Sequence, residues 1–443
     1  MSVILLYLLG LITALIVLKQ GLSRKVEFFS IRNLYLAGFV VYHVIGPAKA
    51  ISTGDFSGFR INDPKNTALW LTIYVYVFFF VYLFAYHKIN IARWFASKAS
   101  GMPSEASDSM LMALSVGLIA VGLPLRFFGH YLPVVGPAMT NVSFALAGLA
   151  CASAGWVWSQ RKFNPAVISV AGAVLVGSLV ICLYSIFGRR PLIGVLFGFA
   201  WGAYYRWARY VVPSRLILYM IPLLAGATII IGAYTAIRRE SSSTADVQAL
   251  FRAMMQADVK EGSAAAASGQ GCAGAMMWAL EQYPVFLKPK PLFSLQYMAL
   301  YFVPRQIWPN KPEPLSQDVA TLAKLKGVNR AKITIPPGVI GYAAAEGGMY
   351  ALIIYALFFG QFTRFFDELV RQNPFNPFII LPAGCVTGQF LGLARGDIGS
   401  FTAIIIVAFV STMALMFIVK LFFGKQSMPQ YQYAQWPQTR DGY

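Results

Sequence analysis

The strongest constraint on this chain is the recurrence of long apolar runs, parted by short polar connections, along nearly its whole length. A helix needs roughly 20 mostly apolar residues to cross about 30 Å of hydrocarbon. By that measure about eleven segments qualify, centred on residues 5–18, 34–51, 69–86, 110–124, 139–158, 167–186, 191–204, 216–237, 339–362, 378–394 and 401–423. Composition agrees: 58% of the 443 residues are apolar and 12% are charged, against about 25% charged in soluble proteins. The expected fold is an all-α polytopic membrane protein, with spans one to eight over 1–237, a large loop over 238–338, spans nine to eleven over 339–423 and a tail over 424–443.

The formal charge of +19 would suit nucleic acid only if Lys and Arg clustered on a hydrophilic face. Here they stand singly or in pairs between apolar runs, so no nucleic-acid partner is expected. Their distribution sets the orientation instead. Alternate short connections and the tail carry seventeen basic residues, among them Lys19, Arg24, Lys25, Arg161, Lys162, Arg206 and Arg209, and the opposite connections carry seven. The positive-inside bias places the richer set, with the C-terminus, in the cytoplasm. The first run lacks a basic lead and a small-residue cleavage site, so it reads as a retained span with its N-terminus outside. The hundred-residue loop then lies on the outer side. That side keeps nineteen basic residues against eleven acidic ones, an excess that insertion does not require.

Cys151, Cys182 and Cys385 lie in apolar runs and Cys272 stands alone, which gives no disulfide framework. His43, His87 and His130 are too far apart in sequence for a metal-ligand spacing, and no cofactor is expected.

So long a loop is too large for a simple connector. Ser243-Thr244-Ala245-Asp246 resembles a capping box, with Asp in place of Glu or Gln, and opens an apolar face of Val247, Leu250, Phe251, Met254 and Met255. A helix on the bilayer surface is expected there, followed by a low-complexity link over 262–274. Residues 292–303 are apolar but too short to span, and are expected at the interface or against the bundle. Pro304, Pro309 and Pro312 predict a rigid, extended path that fixes Arg305 and Lys311. Ser316 is expected to cap a short helix with Asp318 near its start and Lys324 and Lys326 near its end.

The run YFVPRQIWPNKP over 301–312 resembles a pattern late in the large periplasmic loop of Wzy-type O-antigen polymerases, the oligosaccharide repeat-unit polymerases. Three further features fit that resemblance: the stretch Thr334-Ile335-Pro336-Pro337-Gly338 with Glu346-Gly347-Gly348 after it, the turn with Arg189-Arg190, and Arg395-Gly396-Asp397 at a span end. The resemblance implies a GT-C-like helical bundle in the bacterial inner membrane. It implies metal-independent transfer of a growing glycan from undecaprenyl pyrophosphate to the sugar hydroxyl of a new lipid-linked repeat unit. Expected partners are the lipid-linked donor and acceptor, membrane lipids and a chain-length regulator protein.

Under that reading cationic side chains must stabilise the pyrophosphate leaving group, and arginine's planar, permanently ionised fork suits the task. Arg305 and Arg395 are the leading catalytic candidates, with Arg189, Arg190 and Lys311 as substrate contacts; each could instead snorkel to a phospholipid headgroup. Glu346, Asp397 and His130 are the outer groups available as a general base. Glu346 could equally complement the start of a helix, Asp397 could pair with Arg395, and His130 reads as an interfacial residue as well as a substrate contact. Trp308 and Tyr301 could stack on sugar rings or belong to the aromatic belt. His43 reads as a neutral, hydrogen-bonded imidazole within a span.

An O-antigen ligase is the nearest alternative, but by resemblance it calls for a loop histidine, and 238–337 contains none. A flippase or transporter calls for carboxylates near span centres, and the proposed centres hold no Asp or Glu.

Overall fold

The computed structural model describes residues 1–24, 26–99, 104–132, 136–184, 189–240, 255, 272–304, 306–325, 334–423 and 425–426. The protein is an all-α polytopic membrane protein, and among the described residues eight helices are long and apolar enough to cross a membrane. The chain order is α1 (Ser2–Leu22), α2 (Ile31–Phe39), α3 (Gly46–Thr53), α4 (Pro64–Lys88), α5 (Ile91–Ala99), α6 (Asp108–Phe128), α7 (Gly136–Trp158), α8 (Pro165–Leu183), α9 (Arg189–Arg206) and α10 (Pro213–Glu240). It continues with α11 (Cys272–Gln282), α12 (Phe293–Leu300), α13 (Leu315–Leu322), α14 (Gly338–Glu346), α15 (Met349–Gln372), α16 (Pro377–Cys385), α17 (Thr387–Leu393) and α18 (Ile398–Phe423).

Several helices start with a polar cap whose side-chain oxygen accepts an amide of the first turn, followed by proline at the first helical position. Asp63 before Pro64, Asn164 before Pro165 and Asn376 before Pro377 all do this. The cap satisfies an otherwise orphaned donor, and proline has no amide to leave unpaired. Helix packing uses glycine where backbones meet. A Cβ on Gly198 would stand 2.9 Å from the Gly148 carbonyl oxygen, and one on Gly202 would stand 2.8 Å from the Trp156 nitrogen. The spacing Gly198-x-x-x-Gly202 therefore lets α9 lie directly on α7, as small residues do in membrane bundles.

Two expected spans are broken, and a third, which runs as one helix over Ile31–Thr53, changes its winding. Between α2 and α3 the chain widens into a π-helical turn over Val40–Ile45 that carries His43. The segment expected over 339–362 breaks at Gly347 and Gly348, whose φ values of 144° and 63° fit glycine and not a side-chain-bearing residue. The spanning helix therefore begins at Met349, after Glu346. The segment expected over 378–394 breaks at Val386 into α16 and α17. Pro382 removes one helical donor within α16, and the Thr387 hydroxyl takes up the Gly384 carbonyl at 2.8 Å. A break within a span is tolerated when protein surrounds it, and most of α16 and α17 is buried.

The described loop residues form a second, smaller core in which Phe59, Ala275, Trp278, Val319 and Leu325 pack together. Glu281 fastens it by accepting the amides of Asn62 and Asp63 at 2.8–3.0 Å. We call this end of the bundle the loop face. At the opposite end Asp367 accepts the Ile31 and Arg32 amides at 2.7 and 3.1 Å and the Tyr86 hydroxyl at 2.8 Å, which joins the start of α2 to α4 and α15.

The apolar stretch over 292–303 forms α12 and packs on α18, with Ser294 and Tyr297 buried. Two loop expectations need correction. The path from Pro304 to Pro312 is not extended: the Trp308 amide returns to the Pro304 carbonyl at 3.0 Å and the Lys311 amide to the Trp308 carbonyl at 3.1 Å, giving successive turns. Fixed proline φ angles fit turns as well as extended chain. Helix α13 is capped at Pro314, not Ser316, because the Ser316 hydroxyl is engaged by Asp397. The expected surface helix after Ser243 and most of the low-complexity link lie outside the described residues.

Candidate functional site

The site is built around the broken helix α16–α17. Gly388 and Gly392 lie four residues apart, on one face of α17. A Cβ on Gly388 would stand 2.6 Å from the Arg190 carbonyl oxygen, and one on Gly392 would stand 2.9 Å from Arg190 Cδ. Their hydrogen side chains let the first turn of α9 press on α17, with the stem of Arg190 across Gly392. The Arg190 guanidinium ends 3.4 Å from the centroid of the Phe401 ring, and its Nη1 donates to Gln389 Oε1 at 3.3 Å. Arg395 follows α17 and faces the Tyr42 ring, with Cζ 5.7 Å from its centroid. Arg190 stands within electrostatic reach of Arg395, Tyr301, Tyr42 and Asp397. Residues 42, 190, 301 and 395–397 thus converge at the loop face.

Backbone and buried hydrogen bonds position the members of this cluster. The Ala394 carbonyl accepts both the Val339 amide at 3.1 Å and Nε2 of the buried His43 at 2.8 Å. Nε2 must therefore carry the hydrogen, which matches the hydrogen-bonded imidazole expected. Gly338, with φ of 67°, makes room: a Cβ there would lie 2.6 Å from His43 Cε1. Asp397 is 4% exposed and accepts the Tyr342 hydroxyl at 2.6 Å, the Ser316 hydroxyl at 3.2 Å and the Ser400 amide at 2.8 Å. It caps α18 and joins it to α13 and α14. The Lys311 ammonium is also buried, donating to the carbonyls of Tyr301 and Val303 at 3.0 and 3.1 Å. That contact closes the turn over the site and holds Tyr301, whose hydroxyl bonds the Asn141 side chain.

Glu346 lies one helical turn after Tyr342 and is 2% exposed. It ends α14, so it does not complement the start of its own helix. Its carboxylate caps α12 in the loop, accepting the Ser294 amide at 2.8 Å and the Ser294 hydroxyl at 2.6 Å, together with the Tyr355 hydroxyl. Burial pushes its pKa up to about 7; the Ser294 and Tyr355 hydrogen bonds oppose the rise and the charge of Asp397 adds to it. Beside it opens a cavity of about 200 Å³ between α13 and the segment that leads into α12.

Of the residues expected at a site, Arg190, Arg395, Asp397 and Tyr301 come together, with Lys311 behind Tyr301 and Glu346 beyond Tyr342. Trp308 is half-buried in the turn that follows. Arg305 lies outside the described residues, as do the side chains of Arg189 and His130. Tyr42, Gln389, Tyr342, Ser294 and Tyr355 were not anticipated. The four-residue spacing of Gly388 and Gly392 around Gln389, and of Tyr342 and Glu346 on one helix face, is the signal that points to two of them.

Part-buried guanidinium groups beside Tyr42 and Tyr301 have the chemistry to bind an anion, since charge-assisted bonds strengthen away from water. Comparison of the chain with protein-family models, curated proteins and solved structures gives no match. Fold and site together define a polytopic helical membrane protein with a cationic, tyrosine-lined cluster at its loop face.

Proposed function

We propose that the chain polymerises oligosaccharide repeat units linked to undecaprenyl pyrophosphate, as a membrane glycosyltransferase of the Wzy type. It would act at the periplasmic face of a bacterial inner membrane, with the loop face outward. The observation that carries this reading is the approach of Arg190 to Arg395 from distant parts of the chain, around Tyr42, Tyr301 and Asp397. A lipid pyrophosphate is the multiply charged, membrane-held anion that such a cluster suits. The resemblance of residues 301–312 adds Arg305 as a further cation for the leaving group.

In the reaction the acceptor hydroxyl oxygen bonds to the anomeric carbon of the donor sugar as the bond from that carbon to the pyrophosphate oxygen breaks. Undecaprenyl pyrophosphate leaves with the electron pair, and Arg190 and Arg395 stabilise the charge that develops on it. Glu346 receives the hydroxyl proton. Its pKa of about 7 lies near the working pH, where a general base is most effective. Asp397, held by three donors, acts as a positioning residue. The absence of histidine from residues 238–337 supports polymerisation over ligation.

The test is a gel of surface glycan from a strain that lacks this chain. Loss of the long-chain ladder with survival of a single-repeat band is expected. Loss of every repeat-bearing band would point to ligation or flipping instead.

A further inference from the structure

The cavity beside Glu346 is lined by none of the residues of the arginine cluster, and its lining has a chemistry of its own. Tyr283 and Phe293 supply aromatic surface, Glu346 and Asp318 supply acceptors, and Lys288 and Lys290 supply donors at the rim. The lining is held in place from several directions. The Lys290 amide donates to the Ala345 carbonyl at 3.1 Å and the Leu292 amide to the Glu346 carbonyl at 3.2 Å, which seats the loop on the end of α14. The Lys290 ammonium lies 3.7 Å from Asp318 Oδ2 and 5.5 Å from the Phe293 ring centroid. The Tyr283 ring packs edge-on against Trp278, and Tyr283 lies within electrostatic reach of both Asp318 and Glu346.

We infer that this cavity binds one sugar ring. Apolar faces of a pyranose pack on aromatic planes, while its rim of hydroxyls both donates and accepts, which requires carboxylates and ammonium groups together. A simple anion would be repelled by two carboxylates, and an apolar ligand would cover the Lys290–Asp318 pair and strip it of water without offering a hydrogen bond in return. At about 200 Å³ the cavity is smaller than the clefts of about 300–1,000 Å³ that take drug-sized ligands, so it admits one ring and not a chain. Glu346 forms its inner wall, so a hydroxyl of the bound ring points to that carboxylate. If the chain is a polymerase, this is the acceptor subsite; that assignment rests on the proposed function, whereas sugar binding does not.

The test is saturation-transfer NMR on the full chain in detergent, with methyl glycosides of glucose, galactose, mannose, rhamnose, N-acetylglucosamine and N-acetylgalactosamine as probes. At least one should receive transfer, with binding weakened about tenfold by Tyr283→Ala and kept by Tyr283→Phe. Leu322→Trp, at the exposed rim, should block the cavity without removing a core contact, and covers the case in which Tyr283→Ala fails to fold. Gly117→Ala, where an added Cβ meets nothing within 4 Å, should leave glycoside binding unchanged. Absence of transfer from all six glycosides, or transfer that survives Leu322→Trp, overturns the sugar site. Either result leaves the glycan gel to judge polymerase activity separately.

Discussion

The Tyr342 hydroxyl donates a 2.6 Å hydrogen bond to Oδ2 of Asp397, joining the short helix before the break at Gly347 to the start of the last span. The same carboxylate takes the Ser316 hydroxyl and the Ser400 amide. Three segments distant in sequence therefore meet on one buried acid, beside Arg190.

Tyr342→Phe should remove one of three donors and lower unfolding stability by about 1 kcal/mol. Asp397→Ala leaves three donors without an acceptor and should cost several times more. Thermal unfolding of the purified protein in detergent measures both. Equal midpoints for the two variants would mean that Asp397 does not join the segments.

Glu346 gives a pH dependence of definite sign. Its folded pKa is raised from 4.5 to about 7, so the folded state holds the proton more tightly than the unfolded state. Its contribution to stability is then complete below about 4.5 and is lost as pH rises through about 7, a change on the order of 3 kcal/mol at most. Glu346→Gln should flatten that slope in unfolding measurements between pH 5 and 8. Chain extension should run the opposite way, rising through pH 7 as the carboxylate ionises, and Glu346→Gln should abolish it. A variant that extends glycan with the native pH profile would remove Glu346 from the chemistry.

Arg190→Ala and Arg395→Ala should each slow polymer formation by about 10²–10³-fold, the usual effect of removing one preorganised donor to a developing charge. Lysine should restore part of that rate, because it keeps the charge and loses the fork. Rates are read from the time course of ladder formation at matched protein levels. Normal ladders from both alanine variants would refute the cluster as the pyrophosphate site.

Gly388→Ala should destabilise the bundle although it adds only a methyl group. The new Cβ would meet backbone, the Arg190 carbonyl oxygen and Gly194 Cα, each at 2.6 Å. Overpacking against atoms that cannot rotate away costs about 1–3 kcal/mol, and displacing α9 also moves Arg190. Gly117→Ala, where nothing lies within 4 Å, is the control and should be neutral.

The all-α membrane character was legible because burial in lipid is dictated by composition over whole segments. The breaks were not. Residues 339–362 and 378–394 each read as one mostly apolar run, and backbone angles at Gly347, Gly348 and Val386 divide them. In the site, Arg190, Arg395 and Asp397 could be singled out because charge beside an apolar run is costly and therefore conspicuous. Tyr42 and Tyr342 could not, since tyrosine is common at membrane interfaces for reasons unrelated to a site. Lys311 was legible as a fixed cation, but its partners are the carbonyls of its own turn. Glu346 was singled out for the glycines beside it, whereas the donors that hold it come from Ser294 in the loop and Tyr355 in the next helix.

The proposed function requires that this chain alone joins lipid-linked repeat units. Purified protein in liposomes, given undecaprenyl-pyrophosphate-linked repeat units and no nucleotide sugar, tests it most directly, with and without a metal chelator. The account predicts a glycan ladder in both conditions and release of one undecaprenyl pyrophosphate for each linkage formed. Repeat units recovered unchanged at single-unit length, with the protein folded, would contradict it.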